Sequence, residues 1–332
     1  MEQSFAYEKK QNEICILRCY GTSGSIKIPE ELEGLPVTEL SAYAFAQEME
    51  AEPENTSGLP CICGSKLEEL YLPCTIVRLG RYIFYNCIQF RKFSLYSNLA
   101  FMGAGAFTGC ENLCELELRQ LEGKSCLREI LQDLKQKVTV ECYQGFHTAE
   151  DKKQAVREGQ SQREAVGNSK GNLLYRLVYP EFFEEAVENT PARIISTQTH
   201  GMGIQYRNTF RNTQVVFQEY DQLFETGKHN IELENIVEMT CARLRYPYEL
   251  DVCAKQAYAQ WLSEHLEEGA QYFLEQEDME NLRWLAQEFV TEEMQANQML
   301  GMAKECRKPE AVSMLMDVKH ERFPGKKKRF TL

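Results

Sequence analysis

Residues 200–211 read HGMGIQYRNTFR, and their types and spacing suit an anion. Gly201 and Gly203 would let a backbone approach a negative group, and Arg207 and Arg211 stand at helical spacing to clamp it. The bland alternative is a glycine turn entering a helix that carries two exposed arginines. A single Gly-x-Gly without a Walker sequence does not separate the two readings.

A second candidate is Cys61-Ile62-Cys63. Zinc knuckles use Cys-x-x-Cys, because two intervening residues turn both thiolates toward one ion. One intervening residue fits poorly, and no second Cys-x-x-Cys or His-x-x-x-His accompanies it. The expectation is a reduced pair in a mobile loop, open to mutual or mixed oxidation where exposed. No metal or cofactor is expected. The histidines, His147, His200, His229, His265 and His320, are scattered over different segments. His265, at helical spacing with Trp261 and Leu262, reads as a half-buried structural residue, and His320 as part of a solvated face. There is no Gly-x-Ser-x-Gly, P-loop, His-Glu-x-x-His or kinase set. Pairs such as Glu267-Glu268 are ordinary in an acidic helical stretch. No catalytic residue is assigned, and the chain is read as non-enzymatic.

Charge narrows the partners. The 332 residues carry a formal net charge of −13, which argues against a phosphate-binding surface for nucleic acid or anionic membrane. Lys326, Lys327, Lys328 and Arg329 form one basic cluster, a solvated end or a small electrostatic contact. Apolar residues make up 43% and charged residues 26%, the balance of a globular chain. No apolar run approaches the roughly 20 residues of a membrane span. The first residues, MEQSFAYEKKQNE, lack the apolar core of a signal peptide, so a cytoplasmic protein is expected. Export by a route without such a signal stays open. The 13 cysteines then read as reduced, mostly small apolar packing residues.

The elements that would position any site come from a repeat. Leu67-x-x-Leu70-x-Leu72 recurs as Phe90, Phe93 and Leu95, and again as Leu113, Leu116 and Leu118, at intervals of 23 residues. Phe84 and Phe107, Cys87 and Cys110, and Gly80 and Gly103 keep the same interval. Such a period implies a solenoid whose coils bury an apolar face only against their neighbours. Phe84 and Phe107 should stack inside it. Ile26 and Ile28, followed by Pro29, read as an earlier strand, with a turn at Leu35-Pro36-Val37 and Leu40, Tyr43 and Phe45 refilling the core. The surplus between Phe45 and Phe84 is an insertion at residues 46–65, AQEMEAEPENTSGLPCICGS, either a binding loop or a tether.

The stretches IKIPEELEGLPVTELSAYAF, LEELYLPCTIVRLGRYIFYNC and GAGAFTGCENLCELEL resemble the BspA-type leucine-rich repeat over about residues 14–120. The resemblance implies a solenoid. Many such relatives are long, exported surface proteins that bind host or matrix partners. Here there are only about four repeats, and the third has Leu95-Tyr96-Ser97 in place of a strand-ending proline.

Leu127, Ile130, Leu131 and Leu134 have helical spacing, and Val138-Thr139-Val140 reads as a closing strand, together an end cap. The fold class expected is α+β, with the solenoid and cap at 1–146, a polar linker at 147–171 and an all-α domain of helix pairs at 172–332. In that domain Pro180 would open a helix with Phe182, Phe183, Ala186 and Val187 on one face. Asp251, Asp278, Thr291 and Pro309 would start others. DMENLRWLA and KPEAVSMLM align at an offset of 30 residues, weakly resembling ankyrin-type helix pairs without the Thr-Pro-Leu-His signature.

The leading expectation is a protein-interaction platform for a protein partner. Side chains alternating with the buried leucines should face outward: Glu68, Glu69 and Tyr71, then Arg91, Lys92 and Ser94, then Glu115 and Glu117. The rival is an anion- or small-ligand-binding regulator or enzyme centred on residues 200–211. A third reading has the solenoid stabilising a neighbouring domain. The partner and the oligomeric state are not legible.

Overall fold

In a computed structural model the described residues are 2–49, 51–121, 125–146, 173–189 and 194–324. The expected linker at 147–171, His147 and the basic cluster at 326–329 lie outside them. The chain forms two compact units, Met1–Ile231 and Glu232–Leu332. The segment 173–231, expected with the helical domain, therefore belongs to the first.

The first unit coils between two sheets. One is built from β1 (Gln3–Lys10), β2 (Glu13–Gly21), β5 (Leu35–Leu40), β7 (Arg78–Leu79) and β9 (Phe101–Met102), in that order, with β4 (Glu31–Leu32) on β5. The other runs from β3 (Ser25–Lys27) through β6 (Glu69–Tyr71), β8 (Lys92–Tyr96), β10 (Glu115–Gln120) and β11 (Val138–Gln144) to β12 (Leu173–Tyr179). Pairing along the coil is parallel, whereas β1 on β2 and β12 on β11 are antiparallel. Ile26, Leu70, Phe93, Leu116 and Val140 stand in register across the second sheet, each at most 2% exposed. No coil could bury this row by itself, so each neighbour supplies the missing cover.

Each sequence marker has a physical task. Phe84 stacks between Phe45 and Phe107, at ring separations of 5.7 and 5.3 Å, as the period predicted for Phe84 and Phe107. The Cys87 thiol donates to the Phe45 carbonyl at 3.2 Å, and the Cys110 thiol to the Phe84 carbonyl at 3.1 Å. A Cβ on Gly80 would lie 2.2 Å from the Ala42 nitrogen, and one on Gly103 2.2 Å from the Arg81 nitrogen, so successive coils touch backbone to backbone there. The turn expected at Leu35-Pro36-Val37 falls earlier. Glu33 and Gly34, both at positive φ, join β4 to β5 as a two-residue hairpin, and Pro36 lies within the strand.

The end cap forms as α1 (Leu127–Asp133) followed by β11. The helix expected from Pro180 is instead β13 (Phe183–Asn189), an antiparallel hairpin with β14 (Ile194–His200). The Phe182 amide, just before it, donates to the Lys135 carbonyl at 2.9 Å and ties the hairpin's entry to the end cap. Beyond the hairpin lie α2 (Gly203–Arg207), β15 (Phe210–Arg211), β16 (Gln214–Val215), α3 (Phe217–Gln222) and α4 (Phe224–Gly227).

The second unit is helical: α5 (Leu233–Arg245), α6 (Val252–Glu264), α7 (Leu266–Glu275), α8 (Met279–Phe289), α9 (Glu293–Glu305) and α10 (Pro309–Arg322). Asp251 and Asp278 cap α6 and α8 through their carboxylates, as expected, and Pro309 opens α10. The third cap is Glu292, one residue after Thr291, in a capping box with Gln295. The helix from Asp251 breaks at His265, which stacks on Trp261 at 4.2 Å. Met294, in the first turn of α9, is 63% exposed. Glu277 and Arg307, 30 residues apart, both take positive φ before α8 and α10, so the weak sequence period is a period of backbone turns. No helix among the described residues is long and apolar enough to cross a membrane.

Candidate functional site

The outward side of the second sheet gathers most of the candidate residues. Strand alternation places Ser25, Glu69, Lys92, Glu115 and Thr139 in one cross-strand row. The next outward row is Lys27, Tyr71, Ser94, Glu117, Glu141 and Arg176. Tyr96, Arg119 and Tyr143 extend the face.

Neighbouring repeats hold one another's side chains. Glu69 accepts from the Tyr71 hydroxyl at 2.9 Å and from Ser25 Oγ at 3.1 Å, and it pairs with Arg91. Burial opposes charge on Glu69, but these donors, with Arg91 and Lys92, hold its carboxyl below the usual carboxylate range. Lys92 lies 3.3 Å from Glu117 and 5.8 Å from the Tyr71 ring centre. Burial works against its ammonium charge too, yet Glu117 and Tyr71 raise its pKa. Arg119 donates to Ser94 Oγ at 2.7 Å and to Glu117 at 2.5 Å, with its guanidinium 5.7 Å from the Tyr96 ring centre. The Tyr143 hydroxyl donates to Glu141 at 2.6 Å. Such pairs add little stability near water. What they do here is fix long side chains in one arrangement.

Of the predicted residues, Glu69, Tyr71, Glu115 and Glu117 share this face, and Arg91 reaches it from just before β8. Glu68 sits exposed before β6, its carbonyl accepting from the Arg91 and Lys92 amides. Ser94 is a correction: it is fully buried, under the Arg119 and Glu117 side chains, and serves as a support. Sequence reasoning stopped short of Tyr96, Arg119, Glu141, Tyr143 and Arg176. The signal was present, since Tyr96 and Arg119 follow Ser94 and Glu117 by two residues and keep the interval of 23.

The 200–211 segment does not assemble a clamp. Arg207 is 0% exposed, and its guanidinium donates to five backbone carbonyls. They belong to Leu131 (3.0 Å), Leu134 (2.9 Å), Gln136 (2.7 Å), Gly203 (3.0 Å) and Pro180. Burial depresses its pKa to about 10. Gly203 packs so closely on Pro180 that a Cβ would lie 2.2 Å from that carbonyl oxygen. Arg211 is exposed and pairs with Glu219 at 3.5 Å. The segment buttresses the end cap.

The insertion is anchored where a mobile loop was expected. Ile62 is 3% exposed and donates its amide to the Cys19 carbonyl at 2.9 Å, while Cys61 bridges Tyr20. Among the described residues no group of three or more His, Cys, Asp or Glu could hold a metal ion.

Comparison with known proteins agrees with this architecture over part of the chain. Residues 59–142 match the BspA type leucine rich repeat region, in six copies. No curated protein matches the chain. Among solved structures, a leucine rich cell surface protein from Faecalibacterium prausnitzii is 20% identical, at a TM-score of 0.25 over 36% of this chain and 28% of that one. A leucine-rich repeat protein of T. pallidum is 18% identical, at a TM-score of 0.22 over 34% of this chain and 68% of that one. The chain thus spans little more than a quarter of the first structure's length. The coil from the returning limb of the insertion into β11 is thus similar to the BspA-type leucine-rich-repeat region.

Proposed function

We propose that the protein is a non-catalytic interaction platform whose docking surface is the outward face of the second sheet. One observation carries this: tyrosines and paired charges from successive coils interlock into a face set before any partner arrives. Ordering long side chains on binding costs about 0.5–1.5 kcal/mol each, and a face already cross-linked by Glu69–Tyr71, Lys92–Glu117 and Arg119–Glu117 avoids much of that cost. Tyrosine and arginine are the residue types that dominate protein interfaces, because they bring large rigid area with a polar tip. The mixed charges favour a protein surface of matching pattern over a polyanion.

The test is affinity capture with the full chain from native lysate, read by mass spectrometry, followed by titration of the purified partner. Tyr71→Ala and Tyr143→Ala should each weaken binding by about tenfold or more. Arg211→Glu, in the 200–211 segment, should leave it unchanged. Loss of binding from Arg211→Glu with none from the tyrosine variants would sink the assignment, as would the absence of any specific partner.

A further inference from the structure

The Cys61-Ile62-Cys63 pair is a cluster of nucleophilic groups that the docking face does not use. Ile62 is buried and its neighbours are half-exposed, so the chain alternates as an extended strand and both thiols look out on one side. Cys63 itself is extended, at φ −151° and ψ 161°. Cys61 and Cys63 influence each other's titration directly, Cys61 being pushed up and Cys63 down. The surroundings are cationic at this point. Arg18, whose Nη1 donates to the Ala46 and Tyr43 carbonyls at 2.5 and 3.2 Å, lies close enough to favour both thiolates, and Lys66 adds to the effect at Cys63. Glu52, paired with Arg18, works weakly against it.

We propose that Cys61 and Cys63 form a thiol–disulfide exchange pair, with Cys63 as the attacking thiolate and Cys61 as the resolving thiol. The co-reactant is a small disulfide, R–S–S–R. The Cys63 thiolate attacks one of its sulfurs; the Cys63–SR bond forms, the S–S bond breaks and RS⁻ leaves. Cys61 then gives its proton to water, and its thiolate attacks the Cys63 sulfur, expelling the second RS⁻. The protein pair is oxidised by two electrons and the disulfide is reduced to two thiols.

Two physical points support these roles. The neighbouring Cys61 thiol, with Arg18 and Lys66, lowers the Cys63 pKa to about 6, while Cys63 and burial raise Cys61. Once Cys63 is capped, Cys61 loses the neighbouring negative charge that held its proton. The span also fits: Cα atoms two apart in an extended strand are separated by roughly 6.6 Å, near the upper end of what a disulfide bridges. Closure needs a small bend against the anchored Ile62, which leaves the bond readily reducible.

The reduced full-length protein is treated with oxidised glutathione at pH 6, quenched with acid and mapped by mass spectrometry. With its pKa held down, Cys63 carries more thiolate at pH 6 than an ordinary exposed thiol, and it should be the first thiol to react. Cys253, an exposed thiol, is the internal comparator. The expected product is a Cys61–Cys63 link in the wild type and a stable glutathione adduct on Cys63 in Cys61→Ser. Prior or equal modification of Cys253 would overturn the proposal, and so would a lasting Cys63 adduct in the wild type. Both are read on unmutated protein, so a variant that misfolds does not blunt the test.

Discussion

Arg207 shows how one residue type supports two opposite readings until its surroundings are known. Arginine four residues before another arginine suits an anion site, and it equally suits a buried fork that satisfies carbonyl groups. The structure realises the second use. Its five acceptors come from α1 and the loop after it, from Pro180 and from α2, and Phe182 covers the guanidinium at 4.9 Å. Each buried acceptor left without a donor costs about 1–3 kcal/mol. Arg207→Met should therefore destabilise the first unit by about 3–5 kcal/mol, read as a lower urea midpoint for that unit's transition. Arg207→Lys should fall between the two, because one ammonium reaches fewer of the carbonyls. An unchanged midpoint in Arg207→Met would mean that water satisfies these groups. The cysteines divide in the same way by surroundings. Burial pushes Cys15, Cys110 and Cys142 up to about 12, making them inert packing, while Cys63 is held low by its neighbours. Residue type alone did not separate these cases, which is why the anion clamp and the mobile cysteine loop were both misplaced.

At the scale of elements, the period of 23 was legible because each marker does a separate job every coil: leucine fills, phenylalanine stacks, cysteine donates and glycine permits contact. Elements that occur once left a weaker trace. β12, LLYRLVY, has no polar–apolar alternation, since it closes a sheet and also packs under α3, where Val178 exchanges hydrogen bonds with the Tyr220 hydroxyl. Phe182, Phe183, Ala186 and Val187 stand at helical spacing by coincidence, and the segment from Phe183 to Asn189 pairs along its whole length with β14 instead. The candidate face followed the repeat and was legible to the extent the repeat was. The glycine contacts give the sharpest check at this scale. Gly103→Ala would force a Cβ into the Arg81 backbone, which no rotamer relieves, so a loss of more than about 2 kcal/mol is expected in chemical unfolding. Gly301→Ala, on a helix with nothing within 4 Å of the new Cβ, should instead gain about 0.5–1 kcal/mol. Equal effects from both would show that the coils have slack between them.

At the scale of the molecule, the argument turns on how a coil of parallel strands ends. A parallel sheet whose last strand is open offers unpaired N–H and C=O groups to any other chain. Here one edge of each sheet is an antiparallel strand, β1 on β2 and β12 on β11, and the last of these comes from beyond the polar stretch at 147–171. Leu177, Val178 and Tyr179 are buried with it, each 0% exposed. The boundary suggested by composition at 147–171 would therefore cut the molecule through its own cap. A chain ending at residue 231 keeps every strand of both sheets; one ending at 146 bares the β11 edge and the apolar surface that β12 covers. Despite its smaller mass, the 146-residue chain should elute as the larger species in size-exclusion chromatography with light scattering, and should bind a hydrophobic dye that the 231-residue chain does not. If instead it runs as a compact monomer, α1 and β11 close the coil unaided and β12 is an attachment to a finished domain. The docking face is subject to the same logic. Arg176, at the end of the row through Tyr71 and Glu117, lies on β12, so the platform is complete only when the strand from across the polar stretch is in place.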